Sequence, residues 1–336
     1  MAEVDQPVGA RTRLEQRFPD FYIAGHSKCG TTALYEMLRR HPQIFMPDVK
    51  EPMYFARNPD APIFTAGAQV FEQTGAVRET EEDYLSLFAQ AGRDQRVGEA
   101  STFYLWSHSA ASRIAEAQPD ARIIAILREP ASFLRSLHLQ LLQNHAEVEK
   151  DLRSAMALEG ERREGRSIPR HAHWPEALMY SERVRYVDQL RRYHAVFPPE
   201  QVLVLIYDDF RRENEATVRR VLRFLEVDDT VSLPVLDANP TVRLRARRLD
   251  TFIRDVRRGE GPLASALRNT VKGLTPWRLR NDLLYPLRRR VIYGSPRPPD
   301  DAFTAELRAR FKGEVVALSE YLDRDLVSLW GYDHVE

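Results

Sequence analysis

The chain has 336 residues, 43% hydrophobic and 29% charged, and its 49 basic side chains balance its 49 acidic ones. This is the composition of a folded protein of one large or two ordinary domains, and the longest apolar run, Val202 to Tyr207, falls far short of the roughly 20 residues of a membrane span. A single cysteine, Cys29, excludes an internal disulfide framework and a multi-cysteine zinc site, and it fits a reducing, cytoplasmic setting.

Residues 1 to 18 are polar, without the apolar middle of a secretory signal, and are expected to form a flexible arm ahead of one domain spanning 19–336. A short strand is expected over Phe21 to Ala24, ending in Gly25. Ala33, Leu34, Met37 and Leu38 then fall at helical spacing over Thr31 to Arg40, and His41-Pro42 stops the helix. Residues 43–80 read as loops with one extended piece near Met53 to Phe55, and a helix follows near 81–90. Strands are expected at Arg96 to Ser101, Ala121 to Leu127 and Val202 to Tyr207. Helices are expected at Ser107 to Gln118, after Pro130 to about His145, at Met179 to Phe197 and at 213–226. Irregular insertions are expected near 56–80 and 146–178. Strands alternating with helices predict an α/β fold, a mainly parallel central sheet flanked by helices.

The neutral total conceals a local excess: residues 240–299 hold fifteen basic and four acidic side chains. Interspersed leucines make parts of this helical region amphipathic. Nucleotide phosphate, anionic lipid head groups and neighbouring acidic segments are all suitable counterparts, so peripheral contact with an anionic membrane is one expectation. Sparse aromatics and the neutral total speak against nucleic acid.

The segment with the most chemistry is Gly25-His-Ser-Lys-Cys-Gly-Thr-Thr32, between an apolar strand and an amphipathic helix. Small residues turn backbone N–H groups inward, and the following helix presents unpaired donors and the positive end of its dipole. In the triphosphate-binding pattern G-x-x-x-x-G-K-[ST] the lysine follows the second glycine, whereas here Thr31 stands at that place and the lysine comes earlier, as Lys28. This chain has only five lysines against 44 arginines, so a lysine at this turn is informative. A donor whose transferred group carries less charge than a γ phosphate needs one lysine and no metal, which describes a sulfuryl group on a 5′ phosphate.

FYIAGHSKCGTTALYEML resembles the 5′-phosphosulfate loop of sulfotransferases that use 3′-phosphoadenosine 5′-phosphosulfate (PAPS). ARIIAILREPASFLRSLHLQ resembles their 3′-phosphate motif, a strand ending in Arg128 and followed eight residues later by Ser136. KEPMYF (50–55), GEASTFYL (98–105) and the C-terminal helix ending in Trp330 resemble the carbohydrate-type branch of that family. The resemblance implies a P-loop-like sulfotransferase fold and transfer of a sulfuryl group from PAPS to a hydroxyl, or an amine, of a carbohydrate, glycolipid or specialised metabolite. The product nucleotide would be 3′,5′-adenosine bisphosphate, with no metal required.

The resemblance further implies that Lys28 neutralises charge on the leaving bisphosphate. Cys29 (through its amide), Gly30, Thr31 and Thr32 would cradle the 5′ phosphate, and Arg128 and Ser136 would hold the 3′ phosphate. Glu51 is the expected general base, with Glu99, at the end of a strand aimed into the same crevice, in reserve. Pairing of Glu51 with Lys50 or an arginine, and a structural role for Glu99, are the alternatives. Among the nine histidines His108 is the nearest candidate base, and His138 and His145 fall on one helical face. Tyr104 is expected to line the acceptor cleft, and Gly294 and Arg297 to belong to a loop closing over the nucleotide. Two rivals stand beside this reading. One is a P-loop kinase or other triphosphate enzyme, with VLVLIYDD (202–209) as its magnesium-holding strand. The other is a non-catalytic module binding anionic membranes through 240–299.

Overall fold

Phe21-Tyr-Ile is apolar on both faces, as a central parallel strand must be, and all three residues are fully buried. They form β1 (Phe21–Ile23), followed by α1 (Thr31–Leu38), β2 (Ile44–Phe45), a 3-10 turn (Tyr54–Ala56), α2 (Glu81–Ser86), β3 (Arg96–Ala100), α3 (Ala110–Ala117) and β4 (Arg122–Leu127). Then come α4 (Pro130–Gln143), α5 (Leu152–Ala157), α6 (Glu159–Arg163), α7 (Tyr180–Arg183), α8 (Tyr186–His194), β5 (Val202–Ile206), α9 (Tyr207–Arg212) and α10 (Asn214–Phe224). A two-residue pair, β6 (Arg243–Leu244) with β7 (Tyr293–Gly294), precedes α11 (Asp301–Tyr321) and α12 (Leu326–Trp330). The computed structural model describes residues 17–56, 80–170, 172, 174–234, 243–244, 293–294 and 300–335. Nearly all of the expected arm, most of the 56–80 insertion, Arg297 and most of the basic region 240–299 lie outside them. No described helix is long and apolar enough to cross a membrane.

The chain forms two compact units, one of Met1–Arg128 with Asp188–Ala238 and one of Glu129–Val187 with Asn239–Glu336. The first contains a five-stranded sheet in the order β2-β3-β1-β4-β5, every neighbouring pair parallel. The connection leaving β1 thus runs to β2 on one side of the sheet, and the one leaving β4 runs to β5 on the other. Sheets with such a reversal bind ligands outside the carboxyl ends of their strands.

In the second unit Glu129 caps α4, accepting from Ala131 N at 3.2 Å and Ser132 N at 2.6 Å, and also accepts from the Tyr332 hydroxyl at 2.7 Å. Residues 146–178, expected as irregular, instead contain α5 and α6. They are organised by a fully buried ion pair in which Arg162 reaches both Glu147 oxygens at 2.9 Å. A buried pair in this two-pronged geometry satisfies both charges and so permits the helices to pack.

Other expectations are corrected too. The piece at Met53 to Phe55 is not extended: it leads into a 3-10 turn. The helix expected over 179–197 is broken into α7 and α8 around Val184 and Arg185. His138 and His145 share no exposed helical face. His138 is buried on α4, its Nδ1 hydrogen bonded to the Tyr180 hydroxyl at 2.9 Å, and His145 lies past the helix end with φ of 60°.

Candidate active site

Of the residues singled out in the sequence, Lys28, Gly30, Thr31, Thr32, Glu51 and Arg128 belong to the first unit, on the loops that follow its strands or at the start of α1. Gly25 follows β1, and a Cβ there would stand 2.6 Å from the backbone nitrogen of Ile126, so only glycine lets the loop begin this close to β4. Lys28 and Gly30 take left-handed φ values of 68° and 90°. For a lysine this is strain, of the kind that persists where the surroundings impose it. Gly30 caps α1 without any side-chain hydrogen bond, which leaves the first-turn amides, unpartnered within the helix, to face the loop. Behind Gly30 stand Phe210 and Tyr207, which a Cβ would approach to 3.0 and 3.3 Å.

Arg128, directly after β4, donates from Nη1 to the Lys28 carbonyl at 3.0 Å, and its guanidinium lies 4.8 Å from the centre of the Tyr207 ring. Burial first, and the Arg128 charge second, push the pKa of Lys28 down. Two cations held near one another beside an uncapped helix start form a setting that an anion relieves. The residues therefore fit a phosphate ester, which Lys28, Gly30, Thr32 and Arg128 would hold. Thr31 is buried and offers chiefly its backbone amide, whereas the Cys29 N–H, expected to face the phosphate, is instead donated to the His26 carbonyl at 3.3 Å. Ser136 is buried on α4 in the second unit, and Gly294 is paired with Arg243 in the same unit.

Glu51 has φ of 63°, and its N–H donates to the Ala100 carbonyl at 3.0 Å, which fixes it to the end of β3. Its Oε2 accepts from the Thr102 N–H at 2.7 Å and hydroxyl at 3.0 Å, and its Oε1 accepts from Lys50 Nζ at 2.5 Å. The turn after it is pinned by Arg113 Nη1, which donates to the carbonyls of Tyr54 at 3.0 Å and Phe55 at 3.2 Å, and by the Ser101 hydroxyl, which accepts from Met53 N at 3.0 Å.

Glu99 does not face a crevice. It is 0% exposed inside β3, with the Ser101 hydroxyl donating to Oε1 at 2.6 Å and the Tyr84 hydroxyl to Oε2 at 3.1 Å. Tyr104, expected to line a cleft, is fully buried in the same cluster, and its hydroxyl accepts from Phe55 N at 3.3 Å. Burial pushes the Glu99 pKa up to about 7, outweighing the hydrogen bonds from Ser101, Tyr104 and Tyr84 that favour the carboxylate. Between the ordinary glutamate pKa and about 7 the folded chain therefore keeps a proton that the unfolded chain has released, so stability falls as pH rises through that window and levels off above it. One such proton gives a slope of at most about 1.4 kcal/mol per pH unit. Urea unfolding of Glu99→Gln across pH 4.5 to 7.5 should lose this component, and an unchanged slope would contradict it.

The magnesium-strand rival also meets a correction. Asp208 and Asp209 lie in the first turn of α9 rather than at a strand end, with Asp209 Oδ1 3.6 Å from Arg212. His108 is exposed just ahead of α3. Three contributors escaped the sequence reading. Thr102 stood within GEASTFYL without a role, Tyr207 looked like a strand residue, and Arg113 was one arginine among 44.

A profile of the Sulfotransferase family matches residues 19–230. Carbohydrate sulfotransferase 15 of Homo sapiens is 27% identical over 252 aligned residues, covering 62% of this chain and 44% of its own length, and the Mus musculus protein of that name matches to the same extent. The chain thus spans less than half the length of these relatives. The crystal structure of a sulfotransferase from Alicyclobacillus acidocaldarius matches with a TM-score of 0.63 at 26% identity, over 93% of this chain and 98% of that one. With well over half of the chain matched, including the Lys28 loop, Glu51 and Arg128, the chain belongs to the sulfotransferase family.

Proposed function

We propose that this chain transfers a sulfuryl group from PAPS to a hydroxyl of a carbohydrate, acting as one catalytic domain over 19–336 in the cytoplasm. A glycolipid or small-metabolite hydroxyl, or an amine, would use the same chemistry. The observation that carries this reading is the gathering of Lys28 and Arg128 at an uncapped loop-to-helix turn, with a lysine where triphosphate enzymes have none. The carbohydrate acceptor is supported by the names of the relatives.

PAPS, when bound, supplies an activated sulfuryl group at its 5′ end. The amides of residues 30–32 and the Thr32 hydroxyl would bind the 5′ phosphate, and the Lys28 ammonium would meet the charge that grows on the leaving oxygen, the kind of interaction that is stronger in the transition state than before it. Arg128 would hold the 3′ phosphate; Ser136 stays a sequence-based assignment to that phosphate. Glu51 would take the acceptor proton. Thr102 occupies Oε2 twice, so Oε1, shared with Lys50, is the oxygen for that proton.

Thermal unfolding tests the donor class. A large excess of 3′,5′-adenosine bisphosphate over its Kd, without magnesium, should stabilise the chain by about 2.7 kcal/mol at a hundredfold excess, whereas ATP with magnesium should do little. The reverse ranking would favour the kinase.

A further inference from the structure

Two residues before Lys28, the side chain of His26 is completely buried, and its Nε2 is 2.7 Å from Oε1 of Gln189, itself 2% exposed and 163 residues away in sequence. The carboxamide oxygen accepts, so the ring nitrogen donates. His26 also supplies the carbonyl that receives the Cys29 N–H at 3.3 Å, closing the turn in which Lys28 adopts its left-handed φ. A buried imidazole and a buried carboxamide each lose solvation on folding and are tolerated because they satisfy one another.

Gln189 lies on α8, and three and four residues further along the same helical face come Arg192 and Tyr193. Arg192 Nη2 donates to the carbonyls of Leu105 at 3.3 Å and Trp106 at 3.1 Å, and the Tyr193 hydroxyl donates to the Tyr104 carbonyl at 2.8 Å. Those carbonyls belong to the turn after β3 that begins with Ser101 and Thr102, and Thr102 grips Glu51. The same turn is tied back to the start of the phosphate loop, since Leu105 N donates to Ala24 O at 3.0 Å. One helix face thus holds both the loop bearing the cation and the turn bearing the holder of the base.

We propose that Gln189, acting through His26, is a positioning residue for the anion-binding loop, and that Tyr193 on the same face of α8 sets the turn that orients Glu51. This rests on the donor-binding reading above. Isothermal titration of the full chain with 3′,5′-adenosine bisphosphate, together with hydrogen exchange of the free chain, tests it. Gln189→Leu removes the acceptor for His26 and should weaken nucleotide binding about tenfold, with faster exchange across 26–32. Gln189→Glu keeps an acceptor oxygen and should bind within a few fold of the wild type. Tyr193→Phe should leave nucleotide affinity unchanged while exchange quickens over 101–106. Should Gln189→Leu fail to fold, Gln189→Asn, with its shorter reach, carries the same expectation.

Wild-type affinity and exchange in Gln189→Leu would overturn the proposal. So would an equal loss in Gln189→Glu, since an acceptor oxygen for His26 would then not be what holds the loop. Failure of the wild type to bind the nucleotide would sink the donor reading instead, and exchange at 26–32 would still decide whether Gln189 holds the loop.

Discussion

Lys28→Ala is expected to lower sulfuryl transfer by at least about 10²- to 10³-fold, the scale on which one preorganised charge acts on a transition state. The measurement is incorporation of radiolabelled sulfate from PAPS into a cell extract by purified protein, followed by identification of the labelled product. The fold should not suffer. Burial and the neighbouring Arg128 push the Lys28 pKa down, so folding disfavours its charged form. The melting temperature of the variant should stay close to that of the wild type. The same lowered pKa gives a pH signature. The ammonium form binds the anion, so donor affinity in the wild type should decline as pH rises through a value below that of an ordinary lysine, and Lys28→Ala should lose this decline. Undiminished labelling by the variant would end the assignment of Lys28.

Glu51→Gln is expected to reduce kcat by about 10²- to 10⁴-fold while leaving the affinity for 3′,5′-adenosine bisphosphate unchanged. The carboxamide can still accept from the Thr102 N–H and hydroxyl, so the local geometry should survive. Only the partly exposed pairing with Lys50 is weakened, which costs at most about 1 kcal/mol. Glu99→Gln is the control. Its carboxyl is enclosed by Ser101 and Tyr84, so its replacement should alter the pH dependence of stability and spare turnover. If Glu99→Gln abolished transfer and Glu51→Gln did not, the two roles would be exchanged.

Strain separates the two carboxylates as clearly as burial does. Lys28, Glu51 and Met53 all have positive φ, and none is a glycine. Each is held by hydrogen bonds within two residues of it: Arg128 to the Lys28 carbonyl, Glu51 N to Ala100 O, and Met53 N to the Ser101 hydroxyl. Backbone forced into such conformations by surrounding bonds is what a preorganised site requires.

The order strand, small-residue loop, helix around Lys28 was legible because every signal is local. Continuous apolar residues make a strand buried on both faces, glycines permit the close and left-handed turn, and helical spacing of Ala33, Leu34, Met37 and Leu38 follows at once. The position of Arg128 after the buried run Arg122 to Leu127 was legible for the same reason. By contrast, β2 is only two residues long and exists through its pairing with Arg96 and Val97, so no periodicity could announce it. The left-handed turn at Glu51 depends on Thr102 and Arg113, which lie 51 or more residues away in sequence. The short helices between 152 and 163 pack with the buried pair of Glu147 and Arg162, and charge density alone made that stretch look solvated. Amino-acid order by itself thus determined the longer strands and helices of the first unit and which cation stands at the loop after β1. Only the tertiary structure decided which carboxylate remains accessible, because hydrogen bonds and burial between distant residues form only when the fold brings them together.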